Sequence, residues 1–159
     1  MKKKSNQKTL KLCLACSAGG HLTEILHLEP CYSKHKHFFL TFKRQDTADL
    51  RKSERVRFIT DPGRNPVKLL KCVYETFVAL SKERPDVVIS TGAGVAIPAC
   101  YMAKLLFGSK VVFLESFCRV EEPSLAGRLA YPIADLFLIQ WPKLAKKYGR
   151  KAVYRGAIV

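Results

Sequence analysis

The sequence predicts an α/β domain, a mostly parallel sheet with helices on both faces. Short apolar runs of strand length alternate with helical patterns along the chain, and the connections between them are short. The first apolar run also passes into its helix through a glycine turn, the signature of a strand-turn-helix unit.

That first passage is TLKLCLACSAGGHLTE. Leu10, Leu12, Cys13, Leu14, Ala15 and Cys16 make a near-continuous apolar run, as suits a parallel strand buried on both faces. Ser17, Ala18, Gly19 and Gly20 have almost no side chain, so their backbone N–H groups can approach a ligand closely. His21 follows at once, and Leu22, Ile25, Leu26 and Leu28 begin a helical pattern that stops near Pro30. Free N–H groups at a helix start favour an anion, and a phosphate or diphosphate suits them best. The turn lacks both the G-x-G-x-x-G spacing of dinucleotide folds and the Lys-Ser/Thr pair of a P-loop. A tight turn without a ligand is the alternative, and the titratable His21 in the first turn speaks against it.

The later elements follow in order. Residues 37–42 (HFFLTF) read as a second strand, 43–52 as a loop or short helix, and 56–60 as a third strand ended by Asp61-Pro62-Gly63. Asn65 caps the next helix, with Pro66 in its first turn. Leu70, Val73, Tyr74, Phe77 and Leu80 recur at three and four residues and predict its sheet-covering face. Pro85 breaks that helix, and 86–90 form a fourth strand leading into the small-residue turn Thr91-Gly92-Ala93-Gly94. A helix over 95–106, a strand over 110–114 ending at Glu115, and a helix around 124–130 come next. A strand over 136–139, a short basic helix over 142–148 and a last strand over 152–154 complete a single domain of residues 1–159.

The chain has 159 residues, of which 48% are hydrophobic and 26% charged, an ordinary globular balance. Its formal net charge of +15 is not ordinary and favours anionic partners: phospholipid headgroups, diphosphates or nucleic acid. The first nine residues form a basic tail with Lys2, Lys3, Lys4 and Lys8, which could hold the chain at an anionic membrane surface. No stretch predicts a transmembrane helix, since the most apolar one, 92–107, is short and carries Pro98 and Lys104. The six cysteines lie mostly in apolar sequence and read as reduced thiols. Cys13 and Cys16 form a C-x-x-C, but within a strand their odd separation points them to opposite faces, which speaks against a shared metal or redox role. No metal or cofactor is expected.

In a parallel sheet the ligand crevice lies beyond the carboxyl ends of the strands. Residues 17–21, 91–94 and Glu115 with Ser116 all fall there. Two small-residue turns and one carboxylate at a common edge suggest a diphosphate held by Ser17, Gly19, Gly20, His21, Thr91, Gly92 and Gly94. His21 would accept a proton or donate to the anion, and Glu115 would serve as base toward a sugar hydroxyl or simply hydrogen-bond the sugar. Structural alternatives remain for two of these: Glu115 paired with Arg119 or Arg128, and Thr91 in routine capping.

The strings SAGGHLTE, STGAGVAIPACYMAKLLFG, LESFCRVEEPSLAGRLAYPIADLFLIQWP and YRGAIV resemble the asparagine-linked glycosylation fourteen family and its bacterial exopolysaccharide relatives of the PssD and CpsF kind. More distantly, the GGH turn and the strand-end glutamate look like the acceptor half of MurG. The resemblance implies a Rossmann-like domain equivalent to the N-terminal domain of a GT-B glycosyltransferase. It also implies a membrane-associated, acceptor-binding subunit, peripheral on the cytoplasmic face of the cell membrane. That subunit takes a polyprenyl-diphosphate-sugar acceptor, and a separate partner chain binds the UDP-sugar. In the family the carboxyl terminus helps to dock the partner, which makes Ile158 and Val159 the expected contact. Capsule or exopolysaccharide assembly is the expected setting.

Two other readings stand beside it. A stand-alone nucleotide-binding enzyme would need an acid at the end of the second strand to hold a ribose, and only the later Asp46 is near. Nucleic-acid binding rests on net charge alone, since no recognised motif appears, and no nucleic-acid partner is expected.

Overall fold

A computed structural model describes residues 9–158, so most of the basic tail and Val159 lie outside the described residues. The strands are β1 (Lys11–Ala15), β2 (Lys36–Phe42), β3 (Val56–Ile59), β4 (Val87–Ser90), β5 (Lys110–Leu114), β6 (Leu136–Ile139) and β7 (Ala152–Tyr154). They form one sheet in the order β3-β2-β1-β4-β5-β6-β7, and every neighbouring pair is parallel. The chain therefore builds outward from β1 in one direction, then returns to β1 and builds outward in the other. The reversal between β1 and β4 is the switch point, where loops leave in opposite directions and open a crevice.

Among the described residues seven α-helices cover the sheet: α1 (Gly20–Leu26), α2 (Glu29–Tyr32), α3 (Gln45–Leu50), α4 (Pro66–Glu83), α5 (Ala96–Phe107), α6 (Leu125–Ala130) and α7 (Ala145–Tyr148). The alternation along β1 and β2 divides the core. Leu12, Leu14, Cys16 and Phe39 face α1 and α2 through Leu22, Ile25 and Tyr32. Cys13, Ala15, Phe38 and Leu40 face the larger core, to which α4, α5 and α6 contribute Cys72, Leu80, Ala99, Cys100 and Ala130. Cys13 and Cys16 thus occupy opposite faces, and all six cysteines are free. Burial pushes the Cys16 and Cys100 thiols up to about 12, which keeps them protonated at neutral pH.

Two sequence expectations need correction. Pro30 does not end a helix; after α1 stops at Leu26, Pro30 sits in the first turn of α2, where its missing N–H costs nothing. In α4 the cap at Asn65 is as expected, accepting from the Val67 and Lys68 N–H groups, but the buried face is not. Cys72, Thr76, Ala79, Leu80 and Glu83 turn inward, while Leu70 and Tyr74 are exposed. The small residues let α4 lie close on the sheet and against α5, which leaves the bulky stripe outside.

The carboxyl end of α4 is firmly held. Glu83, buried at the sheet edge, accepts from Arg55 at 2.7 Å and Arg57 at 2.6 Å and pairs with Lys11 at 2.8 Å. In α5, by contrast, Ala96, Ala99, Cys100 and Ala103 are buried as expected of a core helix. Among the described residues no helix is long and apolar enough to cross a membrane.

Candidate functional site

The site is built from the loops that leave β1, β4 and β5 at their carboxyl ends. Gly19 turns the chain out of β1 at φ +82°, a region L side chains rarely adopt, and its carbonyl accepts the first bond of α1 from Thr23 at 3.1 Å. The Gly19 N–H is not open to an anion. It donates to Asp46 Oδ2 at 2.7 Å, while Oδ1 of the same carboxyl takes the Thr47 N–H at 2.9 Å. The expected diphosphate contact at Gly19 is therefore corrected: a carboxylate from the start of α3 already fills that position. Ser17, half-buried on the approach, is not on the cleft wall either.

Gly20 and His21 do line the cleft, whose volume is about 640 Å³, the size of a small-ligand site. Glu24, one turn further along α1, shares this wall. Ser116, Arg119 and Ser124 from the loop after β5 close the opposite side. The second small-residue turn supports His21. Thr91 Oγ1 donates to the His21 carbonyl at 2.8 Å, and the imidazole lies next to Gly92. Gly92 has φ +114°, and a Cβ there would stand 3.1 Å from His21 Cε1, so the ring position depends on glycine. Ala93 follows at φ +75°, an uncommon conformation for alanine, and lines the cleft. His21 Nδ1 is buried and has no hydrogen-bond partner among the described residues. Gly94 falls outside the cleft, in a shallow groove against Leu69 and Pro62, which corrects its expected role.

Glu115 also departs from expectation. Its residue is 1% exposed and does not line the cleft. Oε1 accepts the Ser116 N–H at 3.0 Å, and Oε2 accepts the Ser124 N–H at 3.1 Å together with the Tyr148 hydroxyl. Burial and this carboxyl raise the Tyr148 phenol far above its ordinary range, so it remains a donor. Neither Arg119 nor Arg128 pairs with Glu115; Arg128 lies 3.8 Å from Glu122 instead. Glu115 is an anchor for the loop that forms the far wall, not a base facing a substrate.

The carboxyl group that does face the cleft is Glu24. It is 5% exposed and accepts from Ser116 Oγ at 2.8 Å and the Phe117 N–H at 3.0 Å, with Gln140 Nε2 at 3.5 Å. Gln140 is buried and joins three regions. Its Nε2 donates to the Glu115 carbonyl at 3.1 Å, and its Oε1 accepts the Ile158 N–H at 3.0 Å. Ile158 is half-buried and tied to the site through this amide. Glu24 is not singled out from sequence and Arg119 only as a pairing partner for Glu115, although Glu24 stands at the end of the same SAGGHLTE string, three residues after His21.

A parallel sheet in this order, with a cleft at its switch point between small-residue turns, is the arrangement of the amino-terminal domain of a GT-B glycosyltransferase. The structure superimposes on MurG of Acinetobacter baumannii with a TM-score of 0.73 at 16% identity, covering 92% of this chain and 45% of that one. A UDP-N-acetylglucosamine 2-epimerase from Rickettsia bellii matches with a TM-score of 0.71 at 13% identity, covering 94% and 45%. The chain thus spans a little under half the length of these solved structures. Residues 33–158 match the family described as oligosaccharide biosynthesis protein Alg14 like, and the chain belongs to that family. The UDP-N-acetylglucosamine transferase subunit ALG14 of Homo sapiens is 29% identical over 184 residues, covering 96% of this chain and 85% of that protein. The Mus musculus protein of the same name is 30% identical over 185 residues, with the same coverage.

Proposed function

We propose that this chain is the acceptor-binding and partner-activating subunit of a two-component glycosyltransferase. A separate chain supplies the UDP-sugar, and this one holds a polyprenyl-diphosphate-linked sugar. The observation that carries the reading is the cleft at the switch point, walled by Gly20, His21 and Glu24 on one side and Ser116, Arg119 and Ser124 on the other. Family membership sets the reaction class, and the subunit names of the human and mouse relatives favour N-acetylglucosamine as the transferred sugar.

In this reading Arg119 and the Gly20 and His21 backbone receive the diphosphate, while Glu24 and Ser116 hydrogen-bond the sugar. Transfer joins the acceptor hydroxyl oxygen to the donor's anomeric carbon and releases UDP, so the hydroxyl proton must leave. His21 is the group placed to take it, held by Thr91 and Gly92. Ile158, bonded to Gln140, and Val159 dock the partner. The carrier places the protein peripherally at the cytoplasmic face of a membrane, with capsule or exopolysaccharide assembly as the setting. The alternative of a stand-alone nucleotide enzyme loses its ribose-binding acid, because Asp46 is committed to Gly19.

The test is transfer from UDP-N-acetylglucosamine to a short-chain polyprenyl-diphosphate-sugar by the partner alone, this chain alone, and both. Activity should require both chains, and His21→Ala should lower it by about 10²-fold or more with melting unchanged. Equal rates with and without this chain would overturn the proposal.

A further inference from the structure

The amino-terminal half of α4 is exposed in a way the rest of the fold is not. Every residue from 63 to 71 is exposed, so the first turns of the helix stand off the body, while the far end is fixed by Leu80 and Glu83. Val67, Leu70 and Tyr74 follow one another at three and four residues and share one side of the helix. They are 72%, 71% and 68% exposed, and Leu69 is exposed on another side of the helix. Such a contiguous apolar group on a projecting helix end marks a docking surface.

The charge around it selects the occupant. From 62 to 74 the segment holds Arg64, Lys68 and Lys71 and no Asp or Glu. The first acid beyond it, Glu75, accepts the Thr60 N–H at 2.5 Å and lies 3.9 Å from Lys71. Cations interleaved with apolar side chains suit a phospholipid surface: the apolar groups enter the acyl boundary while lysine and arginine stems carry their charges up to the phosphates. A tyrosine at the edge of the patch fits the same boundary.

The helix that carries the patch also borders a groove next to the cleft. Ala93 lines the cleft, and Gly94, the next residue, lines a separate groove together with Leu69 of α4. We propose that the first half of α4, through Val67, Leu70 and Tyr74 with Arg64, Lys68 and Lys71, seats this chain on an anionic bilayer beside its cleft. The inference rests on the acceptor-binding reading above and names the membrane-contacting element of that same site. A carrier whose charged end occupies the cleft can then keep its hydrocarbon chain in lipid, passing over the Ala93-Gly94 turn.

The test is co-sedimentation of the full chain with vesicles of phosphatidylcholine alone and of phosphatidylcholine mixed with phosphatidylglycerol. The wild type should bind the anionic vesicles more tightly, and less so at high salt. The double variant Val67→Asp with Leu70→Asp should partition at least about tenfold more weakly into either vesicle. Lys68→Ala and Lys71→Ala should each weaken binding to anionic vesicles about fivefold and leave binding to neutral ones unchanged. Leu105→Asp with Leu106→Asp, an exposed apolar pair at the far end of α5, should bind as wild type does. Circular dichroism checks that each variant is folded, and the substituted side chains are all on the surface. The inference is overturned by wild-type binding in the α4 double variant, or by a wild type that ignores anionic vesicles. Its failure is separable from that of the acceptor reading, because two-chain transfer to a water-soluble short-chain acceptor by the wild type needs no vesicle.

Discussion

Glu115 and Glu24 are both buried carboxyl groups at the cleft end of the sheet, and the difference between them lies in what surrounds each one. Glu115 meets two backbone N–H groups and a tyrosine hydroxyl, all from the chain itself, and no part of it reaches the cleft. Glu24 meets a serine hydroxyl, one backbone N–H and, at 3.5 Å, the Gln140 amide, and still forms part of the cleft wall. A carboxylate at a strand end is therefore no guide to chemistry by itself. What decides its role is whether the fold leaves it on the cleft wall.

The sharpest way to break this contrast is Glu115→Ala. It leaves the Ser116 and Ser124 N–H groups and the Tyr148 hydroxyl without their acceptor, and each buried orphan costs about 1–3 kcal/mol. Urea unfolding should show a loss of about 3 kcal/mol or more, so any fall in transfer would come with a fall in stability. A variant as stable as wild type yet inactive would restore Glu115 to a catalytic role. Gly127→Ala probes the same anchor from the other side. A Cβ on Gly127 would collide with Glu115 Oε2 and Tyr148 Oη, so α6 sits against them only as glycine. Overpacking of this kind should cost about 2 kcal/mol by the same measurement.

Glu24→Gln tests the other half of the comparison. The amide retains an oxygen for Ser116 Oγ and the Phe117 N–H but sets an NH₂ toward Gln140 Nε2, so the stability loss should be near 1 kcal/mol. If Glu24 holds the acceptor sugar, KM for the acceptor should rise several-fold while kcat changes little. An unchanged KM would reduce Glu24 to a second structural anchor.

Much of this architecture was legible in the sequence because parallel strands buried on both faces are written as apolar runs between turn signals. β6 and β7 coincide with residues 136–139 and 152–154 as expected, and the caps at Asn65 and the stop at Gly108 mark real helix ends. The face of α4 was not legible, because its periodicity offers two stripes and the bulkier one, Leu70-Tyr74-Phe77, is the outward one. Cys72, Thr76 and Ala79 win the inner position through close approach, which hydropathy does not weigh. The site was legible as a meeting of loops, but not in its occupancy. Asp46 reaches Gly19 across 27 residues and Tyr148 reaches Glu115 across 33, and no local pattern records either contact.

Asp135 sets the smallest effect, because it pairs a carboxylate with lysines at the surface and not with the interior. Its partial burial would raise its pKa, but the Lys104 ammonium at 2.6 Å, the Val111 N–H at 2.8 Å and Lys110 outweigh that and hold it at about 2. A carboxyl lowered in the folded state contributes stability that is fully present above its unfolded value, near 4, and lost as pH falls through about 2. Asp135→Asn should cost no more than about 1 kcal/mol at neutral pH, since the lysine pairs are partly solvated. It should also flatten the acid limb of the stability curve between about pH 4 and pH 2. Glu115→Ala should instead lower stability at neutral pH. An acid limb that keeps its slope in Asp135→Asn would shift that pH dependence to other carboxylates.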